Sequence, residues 1–153
     1  ADLPDGATQL FAGCAADPQS RSWSGLQRRL HRKHEAGARF VQTQMVMDPS
    51  ALERFQVELA EPLNLPVLAG VFLLKSAKNA RFINRVVPGV CIPEDLILRL
   101  ESADNPAMEG VAIAAEQVKR YLGIVQGVHL MAIKAEERIP LVLDQAGVNQ
   151  LAA

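Results

Sequence analysis

The sequence predicts an α/β fold in which parallel strands alternate with helices. The first observation is that four apolar runs of nine residues each are nearly continuous, which is typical of parallel strands covered by helices. The second is that a helical pattern follows every run, so that the order is β-α-β-α-β-(α-α-α)-β-α. Right-handed crossovers between such units make the strands parallel. The four runs are TQLFAGCAA at 8–16, RFVQTQMVM at 39–47, PVLAGVFLL at 66–74 and VQGVHLMAI at 125–133.

The helices are predicted from apolar stripes and from residues that begin or end a helix. Ser24 is a predicted N-cap for the first helix, and Gly37 is a stop signal at its end. Asp48 is a capping residue for the second, and Pro49 suits its first helical position. Gly147 ends the last one. The predicted helices cover residues 24–36, 49–60, 77–86, 94–102, 107–122 and 135–146.

Two architectures fit this order, an open doubly wound sheet and part of a (βα)8 barrel. No Gly-x-Gly-x-x-Gly and no Walker-type loop follows any predicted strand, so a nucleotide-binding open sheet has no support. A (βα)8 barrel of the TIM type usually takes about 250 residues, and four βα units are half of one. Because a half-barrel leaves two strand edges unpaired, we expect a fragment or an obligate assembly. Its expected partner is a missing N-terminal barrel half or another chain, and a homo-oligomer is expected.

Composition narrows the class of protein. With 153 residues, 49% hydrophobic, 22% charged and a net charge of −1, the chain is typical of one globular domain without a nucleic-acid-binding or membrane-attracted surface. No apolar run approaches the roughly 20 residues of a membrane helix, and the start lacks a signal-peptide layout. Cys14 and Cys91 form neither a disulfide framework nor a metal set, which favours buried thiols in a reducing cytoplasm.

Two glutamines interrupt the second predicted strand. Side chains alternate along a strand, so two sets of residues face opposite sides. We expect the set with Gln42 and Gln44 to face a barrel interior, with Gln44 nearer the C-terminal mouth where barrel enzymes keep their active sites. Structural pairing is favoured for Gln42, whereas Gln44 is open between binding and structure. The inner set is Phe40, Gln42, Gln44 and Val46, and the helix-facing set is Val41, Thr43, Met45 and Met47.

Two other polar segments are candidates for binding. LQRRLHRKHEAGA at 26–38 is densely basic, which favours a solvated helix face, with a site for anionic groups as the alternative. SAKNARF at 76–82 follows the third predicted strand and carries Asn79; an ordinary helix start is favoured over a ligand site.

No catalytic group is identifiable from the residues alone. His129 is interpreted as a satisfied core histidine, and with His31 and His34 it forms no metal-ligand spacing. No nucleophile-elbow sequence accompanies these histidines. The acidic residues are predicted to be helix caps or solvent-facing charges, so no catalytic residue and no metal site is predicted.

Several segments in register carry a resemblance to a known family. FAGCAADP, KHEAGARFVQTQMVMD, PVLAGVFLL, VPGVCIP and EGVAIAAEQVKRY, then VQGVHLMAI and AGV, occur in the order found in the methylenetetrahydrofolate reductase family. The most specific block is K-x-x-AGA-x-x-x-x-TQ, from Lys33 to Gln44. The chain resembles only the C-terminal half of that family's barrel, strands five to eight, over residues 1–153.

The resemblance implies a function and a set of binding residues. Members of the family are (βα)8 oxidoreductases of one-carbon metabolism, which feed methionine biosynthesis. FAD, reduced by NAD(P)H, converts 5,10-methylenetetrahydrofolate to 5-methyltetrahydrofolate. The resemblance assigns Gln44 and Asn79 to folate binding; at the position of Asn79 the family commonly has glutamine. It assigns Arg32 and Lys33 to binding of the flavin nucleotide. The family's proton-donating glutamate lies on strand one, so we expect this chain alone to show no reductase turnover.

The chain departs from the family at four positions. Asp17 stands where an aromatic residue often packs on the cofactor, and Leu26 where a flavin-contacting aspartate is common. Ile83 stands where an aromatic residue can stack on the bound ring, and Ala135 where an arginine holds the folate tail. Two rival functions stay open, and the departures favour the first of them. One is a tetrahydrofolate-dependent methyl-transfer or demethylation protein on the same scaffold. The other is a non-catalytic half-barrel subunit.

Overall fold

The computed structural model describes residues 10–148, in which four strands form one parallel sheet. The strands lie side by side in the order in which they occur along the chain. In a doubly wound sheet the strand order reverses at one point, and the described sheet shows no such reversal. Its strand order is that of a singly wound sheet. Residues 8 and 9 of the first predicted strand lie outside the described residues. The strands are β1 Gly13–Ala16, β2 Phe40–Met45, β3 Val67–Phe72 and β4 Gly127–Met131.

The six predicted helices are present, and their ends follow from capping residues. Ser22, not the predicted Ser24, caps the first helix, since its hydroxyl accepts the backbone N–H of Gly25 at 3.3 Å. Asp48 caps the second as predicted, accepting the N–H of Ser50 at 2.9 Å. The helices are α1 Trp23–Glu35, α2 Pro49–Phe55, α3 Ala77–Val86, α4 Glu94–Ser102, α5 Pro106–Leu122 and α6 Ile139–Ala146.

The segment predicted as one helix over 49–60 changes its hydrogen-bonding pattern partway. After α2 it continues as a π-helical turn over Gln56–Ala60 and a 3₁₀ turn over Glu61–Leu63. Asn64 then takes a left-handed conformation, with φ 52°, and ends the segment. Another 3₁₀ turn, Glu136–Arg138, precedes α6. No helix of the described residues is long and apolar enough to cross a membrane.

The buried side chains form two clusters. The first lies between the sheet and α1, α2 and α5, and its largest members include Leu30, Phe55 and Tyr121. The second lies at the C-terminal ends of β2 and β3, where Met45 and Phe72 pack with side chains of α3 and α4. The helices α3 and α4 therefore pack at the C-terminal ends of these two strands.

Tyr121 ties α5 to the end of β2. Its hydroxyl donates to the backbone carbonyl of Val46 at 2.8 Å, and its side chain is fully buried. We expect Tyr121→Phe to lower the free energy of unfolding by about 1–2 kcal/mol, because the carbonyl loses this donor. Urea denaturation at neutral pH measures the difference. An unchanged urea midpoint would contradict a stabilising role for the bond.

The same tyrosine gives a pH dependence. Burial raises the pKa of Tyr121 from 10.0 to about 12. Because the folded-state pKa is the higher one, its contribution to stability is complete below pH 10 and is lost as the pH rises towards 12. The Tyr121→Phe variant lacks this contribution, so its stability should fall less steeply over that interval.

Candidate functional site

The structure places a β-bulge at the TQ dipeptide of β2. Gln42 lies opposite Leu68 of β3, whereas Met45 lies opposite Gly70. Three steps along β2 therefore match two along β3, and one residue is extra. The bulge lies at the C-terminal end of β2, and Gln44 lines a cavity there with Asp17, which follows β1.

Side chains of the bulge satisfy the backbone groups that the ladder leaves free. The Thr43 hydroxyl accepts the N–H of Gly70 at 2.8 Å and donates to the carbonyl of Gln44 at 2.7 Å. The Oε1 of Gln44 accepts the N–H of Met45 at 3.0 Å. Within residues 10–148, the Gln44 amide nitrogen has no hydrogen-bond partner, and the side chain is exposed. Gln44 thus stabilises the bulge with its oxygen and presents its NH2 group to solvent.

The bulge changes which side chains share a face. Val46 was expected to face the same side as the glutamines, but it packs with Val41 in the first cluster. Met45 and Met47 pack together in the second cluster. The expected alternation is therefore wrong beyond Thr43, because the extra residue shifts the strand by one position.

Gln42 and His129 pair across the strand that separates them. The amide nitrogen of Gln42 lies 2.8 Å from Nδ1 of His129 and 3.2 Å from Nε2. An amide nitrogen only donates, so the shorter contact requires a ring that accepts at Nδ1. Gln42 therefore has a structural partner, as favoured, but that partner is His129 and not Gln44 or a backbone group. His129 is a partnered, half-buried histidine.

One cavity joins these three polar residues. It has a volume of about 440 Å³ and lies on the face of the sheet away from the first cluster. Gln42, Gln44 and His129 supply its polar groups, and Phe40 and Met131 supply apolar walls. The remaining lining residues are Gly13, Cys14, Ala15 and Thr43.

Gln44 also borders a second cavity, of about 280 Å³, which only one of the two predicted cofactor residues lines. Lys33 lines this cavity, and its ammonium donates to the carbonyl of Ala15 at 2.6 Å. Arg32 instead lines a depression on the outer side of α1, together with Arg28. The structure therefore brings Lys33, but not Arg32, to the side of Gln44.

Arg29 belongs to the basic segment 26–38 but was not among the predicted cofactor residues, and it lines the cavity of Gln44 and Lys33. It lies four residues before Lys33, so both project from the same side of α1. Leu26 and Leu30 anchor α1 and line the same cavity. The four-residue spacing of Arg29 and Lys33 is visible in the sequence and could have indicated that the two cations share one side of the helix.

Asn79 has a local structural role in α3. Its Oδ1 accepts the N–H of Lys75 at 3.3 Å, and its own N–H donates to the hydroxyl of Ser76 at 3.2 Å. Ser76 is the N-cap, so the favoured interpretation of SAKNARF as a helix start is confirmed. Asn79 is half-buried and is not among the residues that line either cavity of Gln44.

Three of the positions that depart from the resembled family are buried. Leu26 is 3% exposed, Ile83 is 5% exposed and Ala135 is fully buried. These side chains contribute to packing. Asp17 is half-buried in its loop. Its carboxylate accepts the N–H of Gln19 at 3.0 Å, and it borders the second cavity.

Another, larger cavity lies outside the two cavities of Gln44. Its volume is about 1220 Å³, between the loop after β1, the start of α2 and the loop after α3. Trp23 stacks with Arg54 there, the guanidinium carbon lying 4.0 Å from the ring centroid. Cys91, expected to be buried, is exposed and lines this cavity. No group of three His, Cys, Asp or Glu side chains within residues 10–148 is arranged to hold a metal ion.

The fold and the cavity define an α/β protein with an amide-lined site at the C-terminal end of a parallel sheet. The sequence model of the methylenetetrahydrofolate reductase family matches residues 5–147, and the chain belongs to this family. The predicted family and the predicted parallel α/β fold are both confirmed.

Two known proteins are similar to the chain. Methylenetetrahydrofolate reductase 2 of Schizosaccharomyces pombe is 25% identical over 129 residues, which cover 76% of this chain and 20% of that protein. A solved structure, of an uncharacterized Clostridium thermocellum protein that binds two copies of 5-methyl-5,6,7,8-tetrahydrofolic acid, has a TM-score of 0.69 at 18% identity. That similarity covers 97% of this chain and 56% of the solved one, and it shows a shared fold. The chain thus spans about a fifth of the curated relative and just over half of the solved protein.

Proposed function

We propose that residues 1–153 are the C-terminal half of a (βα)8 barrel, supplying strands five to eight. The support is the sequential order of β1 to β4, which is the order of a barrel wall. Within the described residues, the outer edges of β1 and β4 have no neighbouring strand. Four further βα units, from a missing N-terminal half or a partner chain, would pair with both edges and close the ring.

The proposed activity is the family's reduction of 5,10-methylenetetrahydrofolate to 5-methyltetrahydrofolate, to which this chain contributes the folate-binding half. One observation carries the proposal: the exposed NH2 group of Gln44, fixed by the bulge at the C-terminal end of β2. This is the TQ glutamine of the family motif, at the end of the strands where barrel enzymes bind substrate. Asn79 remains a candidate folate contact, although its oxygen is engaged by Lys75.

Binding of 5-methyltetrahydrofolate tests the folate proposal directly. Isothermal titration calorimetry with the purified chain should give one saturable site that disappears in high concentrations of competing folic acid. A chain that is folded by circular dichroism and does not bind either compound would overturn the proposal.

The cofactor proposed for this site is FAD, with NAD(P)H as the electron donor. FAD supplies hydride transfer when bound. The residues of this chain fit its anionic part, because Lys33 and Arg29 border one cavity beside Gln44 and no ion pair involves either cation among the described residues. Arg32, the other residue that the resemblance assigns to the flavin nucleotide, lies on the outer side of α1.

Substitution of Lys33 tests the cofactor proposal. We expect Lys33→Met to weaken FAD binding about fivefold, because one exposed contact between a cation and a phosphate contributes about 1 kcal/mol. Flavin fluorescence quenching measures the affinity. Arg28→Met, on the outer side of α1, is the matched control and should leave it unchanged. Equal weakening in both variants would indicate general electrostatic attraction and not a site at Lys33.

The proposed division of labour also predicts an absence of catalysis by this chain alone. The family's proton donor is a glutamate on strand one. Among the described residues, Asp17 is the one carboxylate that lines either cavity of Gln44, and it accepts the backbone N–H of Gln19. With FAD, NAD(P)H and 5,10-methylenetetrahydrofolate, we expect no turnover above the flavin-only rate. A measurable rate would show that a proton donor lies within these residues.

A second function, folate-dependent methyl transfer or demethylation on the same scaffold, is favoured by a different observation. Leu26, Ile83 and Ala135 are buried where family members contact cofactor or substrate. The Clostridium thermocellum protein of the same fold binds two copies of 5-methyl-5,6,7,8-tetrahydrofolic acid. A chain that binds folate but retains no flavin on purification would favour this function. A stable homo-oligomer that binds neither, measured by sedimentation, would favour a non-catalytic half-barrel.

A further inference from the structure

We propose that Gln42, oriented by His129, is a second ligand-binding amide, which with Gln44 recognises a lactam edge, the adjacent N–H and C=O groups of a fused heterocycle. The inference rests on the proposed folate site and names the part of the ligand that the site distinguishes. Gln42 and Gln44 line the same cavity of about 440 Å³, a volume within the range of small-molecule sites.

The first step concerns the strand between Gln42 and His129. Gly70 of β3 pairs with His129 of β4 and with Met45 of β2, so the Gln42–His129 contact passes over β3 close to this glycine. A Cβ at position 70 would lie 2.7 Å from the Gln44 carbonyl oxygen and 2.9 Å from the terminal methyl of Met131. A side chain at position 70 would therefore crowd Gln44 and Met131, both of which line the cavity.

The second step concerns which end of each amide is free. The backbone N–H of Met45 can only donate, so the contact at 3.0 Å must be to the amide oxygen of Gln44. The NH2 group of Gln44 is therefore free to bind a ligand. The nitrogen of Gln42 is engaged by Nδ1 of His129 at 2.8 Å, which leaves its oxygen. Within residues 10–148, neither free end has a hydrogen-bond partner. The cavity thus offers one acceptor, from Gln42, and one donor, from Gln44.

The third step concerns the ligand. A pterin carries an N–H at position 3 and a carbonyl at position 4, so it offers a donor beside an acceptor, complementary to the two amides. In a 4-amino analogue, N3 is an acceptor and the 4-amino group is a donor, so both contacts are reversed. A site built from fixed amides discriminates strongly between such ligands, because the reversed one leaves polar groups unpaired.

Folic acid and aminopterin test the inference, since they differ only by the oxo or amino group at position 4. The readout is the ratio of their dissociation constants, measured by calorimetry on the purified chain. We expect the wild type to prefer folic acid by at least tenfold. In Gln42→Leu the ratio should fall at least fivefold, because the acceptor is lost.

A second variant separates orientation from folding. In His129→Leu the Gln42 amide can rotate, so the ratio should fall at least threefold while affinity for folic acid changes less than the ratio. Gln27→Leu, which removes an amide on the outer side of α1, is the matched control and should keep the wild-type ratio. If Gln42→Leu does not fold by circular dichroism, the His129→Leu ratio decides the matter.

The outcomes distinguish this inference from the function on which it rests. A folded wild type that binds neither compound would overturn the folate site and the inference together. A wild type that binds folic acid, with the same ratio in Gln42→Leu and His129→Leu as in the control, would overturn only the role of Gln42 and His129. A lowered ratio in both variants supports the inference.

Discussion

Gly110→Ala is expected to destabilise the chain severely, because α5 packs its backbone directly against the end of the third strand. A Cβ at position 110 would lie 1.8 Å from the carbonyl oxygen of Leu74 and 2.9 Å from its carbonyl carbon. Both Gly110 and Leu74 are buried, and the obstructing atoms are backbone. Alanine usually stabilises a helix interior by about 1 kcal/mol relative to glycine. Here overpacking should exceed that gain and cost about 3 kcal/mol or more.

Urea denaturation of a matched pair of variants measures this effect. Gly123→Ala, at the C-terminal end of the same helix, is the control, since its Cβ would meet only the Arg120 carbonyl oxygen, at 3.4 Å. We expect Gly123→Ala to keep the wild-type midpoint and Gly110→Ala to unfold without denaturant or at a much lower urea concentration. A Gly110→Ala variant as stable as the control would show that α5 does not contact the third strand in this way.

The strands and helices were predictable from the sequence because their signals are local. A continuous apolar run marks a covered parallel strand, and Asp48 with Pro49 marks a helix start. The bulge was not predictable, because a period of two carries no sign of an extra residue. Its cause becomes visible only with the register, which places the Thr43 hydroxyl against the N–H of Gly70. The first N-cap was missed by two residues, since Ser22 and Ser24 are equally suitable by type.

The candidate site was predictable in part. Gln44 is part of the bulge, but its position at the C-terminal end of the strand follows from its place in the apolar run, which was predictable. Lys33 reaches the same side because Leu26 and Leu30 fix the rotation of α1, and this rotation also places Arg32 outside. The pairing of Gln42 with His129 joins residues 87 positions apart over an intervening strand, so it required the strand order.

Substitutions of Gln44 should separate its two roles, stabilising the bulge and binding a ligand. Gln44→Glu keeps an oxygen that can accept the N–H of Met45, so we expect the free energy of unfolding to change by less than about 0.5 kcal/mol. It loses the NH2 donor and places a negative charge beside the ligand carbonyl, so folate affinity should fall about a hundredfold, or about 2.7 kcal/mol. Gln44→Leu loses both functions and should cost about 1 kcal/mol of stability as well as at least tenfold in affinity.

Calorimetry with 5-methyltetrahydrofolate and urea denaturation, applied to the same preparations, measure the two roles independently. Gln27→Glu is the matched control, since it makes the same change of charge on the outer side of α1 and should alter neither quantity. Wild-type affinity in Gln44→Glu would show that the ligand does not use the amide donor. Wild-type stability in Gln44→Leu would show that the bulge does not need the amide oxygen. If both roles hold, the bulge needs a hydrogen-bond acceptor at position 44, which a carboxylate could also supply. Ligand binding needs the NH2 donor as well, and a carboxylate lacks it.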